Sequence, residues 1–541
     1  MTVVLTTGYN ANDQFLCFDL HHGSYILNSM RQRTAIREYI LPEDPEGQHN
    51  FVMGALQLPV YELDGDSMQI HDVVWGDCEI GNRQPYDSLL MKLARSPLFR
   101  RLQAVEQLTL PPHFATLPNT TYFSRWQHIW GSLAFVRKMT EGDDRFDDRQ
   151  RTVLELRTLF SDVGQTAFSH LGDWVFQGIQ GGEDLHDQDL RELLETFGVD
   201  TLLEEYGLTL EETVFPEISD WVECPSPDLC VDRVDYGLRE ILRWSGKAVN
   251  IYLHEYSLQD PQSLFRINDQ HMLEVTNEDF ARRFAAGYSI LPTENWGQPV
   301  HRLQLELLQT AVKRALLESY FSDGVNLRYP VHPRDRIYGI DSDFRFALSM
   351  VGDGGALSRT MQTIASDQRQ TYIAARQLDL SCLLSSVSSS FPDFPDPLRS
   401  YCHPSEEFGL VSPHVEVTRD DKARQEVSRE MGRISLGLPP LKPRSIDPAI
   451  SIDGQAMRLS EIDPSFKDYL TGQTEIMRRG YQAELLVNKQ FGGKLLELYQ
   501  RVNDEWPNAI QQPRNPDNLR EIVRQAGLYS AGNCFDGIYE I

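Results

Sequence analysis

The chain is short of positive charge, of cysteine and of long apolar runs, and each shortage closes off a class of protein. Against 79 Asp and Glu it sets 51 Lys and Arg, for a formal net charge of −28. Nonspecific capture of a nucleic-acid backbone needs clustered Lys and Arg, so no nucleic-acid partner is expected, although a basic pocket for a small phosphate ligand is compatible with this balance. The 7 cysteines are scattered and odd in number. Only Cys224 and Cys230 lie near one another, at a spacing that fits no standard zinc knuckle. Free, reduced thiols and an intracellular setting are the expectation. No run of about eighteen apolar residues exists to cross a bilayer. The start, Met1-Thr-Val-Val-Leu-Thr-Thr-Gly8, lacks the basic and long apolar regions of a secretion signal. A cytoplasmic protein is expected, and no internal repeat is visible.

What is present is a long, mostly helical pattern. At 541 residues the chain exceeds one ordinary core. Residues 1–69 read as an N-terminal extension, in which Val3-Val4-Leu5, Phe15-Leu16-Cys17-Phe18 and Phe51-Val52-Met53 are short apolar runs between polar turns. They suggest strands. Residues 70–380 form the main core: apolar positions recur at helical spacing over 146–160 and again from Arg302 to Tyr320. Between 381 and 450 the chain is rich in Ser and Pro, as in the run from Ser385 to Pro397 and in Leu438-Pro-Pro-Leu-Lys-Pro443. This predicts an irregular connector. A C-terminal helical region, 451–541, follows. The fold class expected is mainly α.

Three segments carry chemistry. Leu159-Phe-Ser-Asp-Val-Gly-Gln-Thr-Ala-Phe-Ser-His170 has the form of an HD-type metal motif whose leading histidine is replaced by Ser161. Asp162, Gly164, Phe168, Ser169 and His170 stand in place. Upstream, Arg125 and His128 lie three apart, so one helix turn brings both to one pocket. Downstream, Asp232, Asp235, Tyr236 and Arg239 recur at helical spacing. An imidazole and carboxylates for one divalent cation, with guanidinium forks for phosphate, are what a nucleotide polyphosphate requires.

In their order these segments resemble the SAM-and-HD-domain dNTP triphosphohydrolases and the related bacterial dGTP triphosphohydrolases. The likeness runs from about 70 to 380. It begins at Asp72-Val-Val-Trp-Gly76, where the family has Asp-Pro-Ile-His-Gly. It continues through Ser96-Pro-Leu-Phe-Arg-Arg-Leu-Gln-Ala-Val-Glu-Gln-Leu108, Arg125-Trp-Gln-His128, the Ser161 to His170 segment, His186-Asp187 and Val231-Asp-Arg-Val-Asp-Tyr-Gly-Leu-Arg239.

The resemblance implies an HD-type helical phosphohydrolase core and a homo-oligomer. It implies a divalent ion (Mn, Mg, Fe or Co) on His128, Asp162 and Asp232, with Ser161 at the position of the missing fourth ligand. It makes His186 the proton donor to the leaving group and Asp187 the acid that orients it. Arg125 faces phosphate, Gln107 reads the sugar hydroxyl, and Arg233, Tyr236 and Arg239 line the pocket.

The departures are as specific as the matches. Gln165 stands for a pocket histidine and Trp75 for the histidine of the opening motif. Arg95, Arg100 and Gln103 replace the Asp, Gln and Arg of guanine-activated members, which speaks against guanine-triggered assembly. The literal doublet His186-Asp187 is an alternative HD pair without the glycine turn. Three readings stay open: a nucleotide phosphohydrolase with a three-ligand cation, a degenerate member that binds a nucleotide as sensor or assembly subunit, and a purely structural protein.

Overall fold

The computed structural model describes residues 67–318 except 73, 110–122, 178–184, 216–219, 244–255 and 293–298, together with 332–339 and 444–534 except 453–454, 480 and 512–513. Elsewhere it describes only strands: Thr2–Thr6, Gln14–Asp19, Ser24–Ser29, Tyr39–Ile40, Tyr61–Asp64, Thr371–Ala375, Gly409–Leu410 and Met431–Leu438. The Phe51-Val52-Met53 run lies outside the described residues.

At the centre stands the helix Arg125–Thr140, with fourteen of its sixteen residues buried. A helix buried on all sides belongs to the interior of the core. Its start is fixed by a capping box, in which the Gln127 amide donates to the Ser124 hydroxyl and the Ser124 amide to the Gln127 side chain. The Asp148–Phe160 helix packs beside it, capped in the same manner by Asp147 and Gln150. The Val231–Arg243 helix packs on its other flank. Gly131 makes that approach feasible: a Cβ there would sit 2.0 Å from the Arg239 guanidinium and 2.6 Å from the Asp235 carboxylate. Glycine lets a buried ion pair lie directly on the helix.

Helices dominate the core, as the periodicity predicts, and sheets edge it. An antiparallel hairpin, Ser67–Asp72 with Gly76–Ile80, precedes the first core helix, Tyr86–Arg95. The N-terminal extension holds a four-stranded antiparallel sheet within residues 2–40. The expectation for the latter part of the chain needs correction at two places. Met431–Leu438 is a strand inside the stretch expected to be irregular, and Tyr481–Asn488 pairs with it inside the region expected to be helical. Ile434, Leu436 and Leu438 alternate with small residues, which is a strand pattern obscured by its Pro-rich flanks.

The C-terminal residues are part of the core. Ile450 pairs in parallel with Val275, so the Ala449–Ile452 and Gln455–Arg458 hairpin extends a core sheet. The Pro516–Cys534 helix packs on the Pro97–Arg100 turn, where a Cβ on Gly527 would lie 2.4 Å from the Pro97 Cα.

Candidate metal and proton-transfer site

Helix geometry delivers the first cluster. Arg125 and His128 share one turn of the central helix, Asp162 lies in the turn just past Phe160, and Asp232 and Asp235 stand one turn apart on the Val231–Arg243 helix. His128 is fully buried. Its Nδ1 lies 2.7 Å from Asp235 Oδ2, and its Nε2 lies 2.9 Å from Asp232 Oδ1 and 3.6 Å from Asp162 Oδ2. The three residues expected to hold a cation therefore converge on one ring nitrogen.

The tautomer follows from the partners of Asp235. That carboxylate accepts from the Trp75 indole at 2.7 Å and from the Arg239 fork at 2.7 and 3.1 Å. Although burial works against its ionisation, Arg239 and His128 hold it below the usual carboxylate range. An ionised carboxylate only accepts, so the proton must sit on His128 Nδ1. Nε2 faces Asp162 and Asp232, and is the ring atom that a cation could use in place of a proton. A carboxylate behind a histidine fixes ring orientation and raises basicity, as metal sites use it. Arg239 in turn reaches Asp72 at 2.9 Å, and Asp72 caps the amides of Val74 and Trp75.

Charge gives a second test of whether a cation fits. Within this hydrogen-bonded network four carboxylates (Asp72, Asp162, Asp232 and Asp235) face two guanidiniums, Arg125 and Arg239. The excess of two negative charges matches one divalent ion. Without such an ion, a proton compensates in part: burial disfavours the imidazolium, but hydrogen bonds to Asp232 and Asp235 and the charges of Asp162 and Asp235 push His128 up to about 10.

Arg125 is committed elsewhere than the sequence suggests. It bonds both oxygens of Asp162 at 2.8 Å through one nitrogen, the Ser169 hydroxyl at 2.9 Å, and the Gln107 carbonyl at 3.3 Å. It faces Asp162, the expected cation ligand. Ser169 and Phe168 adopt left-handed backbone, with φ of 55° and 56°. Non-glycine residues hold that conformation at a cost, and such sites cluster where geometry matters. Here it directs the Ser169 hydroxyl to Arg125 and to the carbonyls of Glu106 and Gln107.

Ser161 ends its helix with its hydroxyl bonded to the Thr158 carbonyl at 2.8 Å. It is turned back into its own helix. Gly164 is required by contact: a Cβ there would meet the His186 carbonyl oxygen at 2.2 Å, so the Asp162 turn rests on the start of the Leu185–Thr196 helix.

That contact brings up a second cluster. His170 Nδ1 lies 2.9 Å from Asp173 Oδ2, and His186 Nδ1 lies 3.5 Å from Asp173 Oδ1. His186 Nε2 lies 3.6 Å from Asp187, which is largely exposed. Asp173 is buried, also accepts the Leu185 amide, and is held well below the usual carboxylate range by both histidines against the effect of burial. Burial opposes charge on His186, while Asp173, Asp187 and Asp162 raise its pKa. One ligand atom each from His170, Asp173 and His186 lies within 4.8 Å of the others, so this trio also has the form of a cation site.

Other expected pocket residues divide. Arg239 is a buried support for Asp235. Arg233 lies against the sulfurs of Cys224 and Cys230 at 3.7 and 3.1 Å, and both thiols are free. Tyr236 packs edge-on to the His128 ring and bonds the Tyr288 hydroxyl. Gln107 is buried, and its side-chain oxygen has no hydrogen-bond partner among the described residues; the same is true of Gln165. An unsatisfied buried acceptor costs about 1–3 kcal/mol. Each is suited to a hydroxyl or amide donor brought by a ligand.

The sequence placed Asp235 beside Asp232 among the carboxylates without giving it a role of its own, and left Asp173 and Asp72 outside the site. Asp173 had a signal, since it lies three residues past His170. Asp72 opens the Asp-Val-Val-Trp-Gly motif, but only the fold shows that it completes Arg239.

Comparison with known proteins gives partial likenesses. No family model matches the chain. It is 28% identical over 191 residues to an uncharacterised Bacillus subtilis protein, YdhJ, a match spanning 35% of this chain and 51% of that protein. It is 24% identical over 247 residues to the metal-dependent phosphohydrolase cns2 of Cordyceps militaris, spanning 44% of this chain and 64% of that one. Each match covers less than two thirds of the relative. Two solved structures align at 14% identity: a phosphohydrolase from Bacteroides thetaiotaomicron, TM-score 0.47, covering 78% of this chain and 100% of that one, and a hypothetical protein from Aquifex aeolicus, TM-score 0.41, covering 81% and 99%. One of these relatives is named a metal-dependent phosphohydrolase, and none of these proteins is named as a dNTP triphosphohydrolase. No described helix is long and apolar enough to cross a membrane.

Proposed function

We propose that this chain is a metal-dependent phosphohydrolase acting on a nucleotide, with a (deoxy)nucleoside triphosphate as the first candidate. The observation that carries the reading is His128. Its Nδ1 is bound to a buried carboxylate and its Nε2 faces two others, which is the arrangement of a metal-ligating imidazole. His128, Asp162 and Asp232 would hold the ion, which when bound polarises a phosphoryl oxygen and lowers the pKa of water.

The remaining chemistry belongs to the chain itself. Arg125 holds Asp162 in place, and Asp235, Arg239 and Trp75 fix His128. Burial opposes charge on His186, but Asp173, Asp187 and Asp162 favour its protonated form, and from there it can deliver a proton to a departing oxygen. Asp173 orients both His186 and His170, and Asp187 adds its charge at the exposed edge. The unpaired Gln107 oxygen suits a sugar hydroxyl. Arg233 and Tyr236 are the remaining pocket candidates, and association into a homo-oligomer is part of the same proposal.

One observation favours a second reading, a nucleotide-binding subunit without turnover. Ser161 supplies no fourth ligand, because its hydroxyl is engaged by Thr158. One experiment separates the two: metal content of the purified chain, followed by a panel of nucleotides with Mn, Mg, Fe or Co. Phosphate, pyrophosphate or triphosphate release that is lost in His186→Ala with binding retained supports the enzyme. Tight nucleotide binding with no release in any metal supports the subunit, and a chain that takes up neither metal nor nucleotide overturns both.

A further inference from the structure

Arg101 has no role in the chemistry just described, yet it is fully buried beside the Asp162 turn. Its guanidinium donates to the Val163 carbonyl at 2.5 Å, between the Asp162 carboxylate and the Gly164 contact with His186. Its other face lies over the Tyr338 ring at 5.7 Å. The residue before Tyr338 accepts the Ala167 amide at 2.9 Å, so the segment 332–339 clasps the motif from the same side. Burying a guanidinium is expensive unless its bonds are used. One use here is to fix a single peptide of the motif.

The segment carrying Arg101 is itself held from far along the chain. Pro97–Arg100 lies against the Pro516–Cys534 helix so closely that Gly527 has no room for a Cβ: Pro97 Cα and carbonyl oxygen would be 2.4 and 2.5 Å away. Leu519, Ile522, Val523 and Ala526 of that helix are buried. Just ahead of it, Arg514 reaches Asp335 at 2.6 Å and Glu192 at 2.8 Å. The C-terminal helix therefore supports both elements that meet Arg101.

We propose that Arg101 is a positioning residue for the Asp162 carboxylate, and that the Pro516–Cys534 helix keeps it in register, so that the C-terminal region sets the cation affinity of a site it does not touch. The inference rests on the proposed cation site, and the test distinguishes the two.

The full chain is titrated with Mn alone, by calorimetry, as wild type and as Arg101→Lys, Gly527→Ala and Gly527→Val. Arg524→Ala, on the exposed face of the same helix, is the control. Amide exchange is followed at Val163 and Gln165, whose hydrogen bonds to the Phe160 and Asp162 carbonyls close the turn. Arg101→Lys keeps the charge and loses the fork, and is expected to weaken Mn about tenfold, the scale of lost outer supports. Gly527→Ala and Gly527→Val should weaken it in increasing order, with faster exchange at the two amides, while Arg524→Ala changes neither. Folded variants that bind Mn as the wild type does, with unchanged exchange, overturn the inference. If the wild type itself binds no Mn, the cation reading fails. The exchange rates then still decide whether Arg101 and the C-terminal helix hold the turn.

Discussion

His128 and Ser161 stand where the motif expects equivalent ligands, and the protein treats them in opposite ways. Every polar atom of the His128 ring is engaged, and its support extends through Asp235 and Arg239 to Asp72 and Trp75. Ser161 returns its hydroxyl to its own helix, and the neighbouring Gln165 oxygen is buried without a partner among the described residues. One side of the proposed site is thus complete to its outer supports, and the other lacks the imidazole that the motif expects while keeping its backbone turn. The difference locates the weakness: ion affinity should suffer, but the geometry of the three remaining ligands should persist.

The largest effect that could break this comparison is at Asp162. Replacing it with Asn should reduce Mn retention by more than about a hundredfold, since loss of outer supports alone reaches that size. Metal content after dialysis measures it, and equal retention would remove Asp162 from the site. Asp162→Ala is the harsher change, because it leaves Arg125 a buried charge without its partner, a loss of about 3–5 kcal/mol in comparable pairs. Next in size is Asp235→Asn, which spares the predicted ligands but breaks the support of His128. A loss of about ten- to hundredfold in Mn affinity is expected. An unchanged titration would mean that the His128 tautomer does not depend on Asp235.

Ser161→His tests the other side. An imidazole at this position should raise Mn affinity by about tenfold if the backbone still aims at the ion. The turn is intact, with the Gln165 amide bonded to the Asp162 carbonyl at 3.0 Å and Gly164 seated on His186. No gain on titration would show that the backbone no longer aims position 161 at the ion, and the binding-subunit reading would be strengthened.

Much of this was legible before any coordinates. Helical spacing at three residues placed Arg125 and His128 on one face, while Asp162 and Asp232 joined them only through the resemblance to the HD-domain triphosphohydrolases. Gly164 was recognisable as a turn, but not as the contact that joins the turn to His186. The resemblance made Asp187 the acid that orients His186, while the buried neighbour, Asp173, comes from another helix thirteen residues away. The resemblance made Arg125 a phosphate-facing residue and Arg239 a pocket residue. Only packing shows that their forks are used on carboxylates. The strand Met431–Leu438 was hidden by composition, and the C-terminal helix had no motif to announce its contact with Pro97.

The smallest expected effect is on stability against pH, and its sign is opposite to the usual acid loss. In the folded chain without metal, His128 is raised from 6.5 to about 10 by Asp232, Asp235 and Asp162, against the effect of burial. A group whose folded pKa lies above its unfolded one binds more protons in the folded state, so stability falls as pH rises. The contribution is fully present below about pH 6.5 and is lost as the pH passes through about 10. His186, also raised, adds in the same direction. Thermal melts in chelator should therefore show a decline between about pH 6.5 and 10, which His128→Gln flattens. An added divalent ion should reverse the trend, because it replaces the proton on Nε2 and competes better as protons become scarce. Melts in Mn that rise or level across that window, beside falling melts in chelator, are the expected result. Parallel curves with and without Mn would show that the ion and the His128 proton do not share a site, and the cation would then have to be sought at His170, Asp173 and His186.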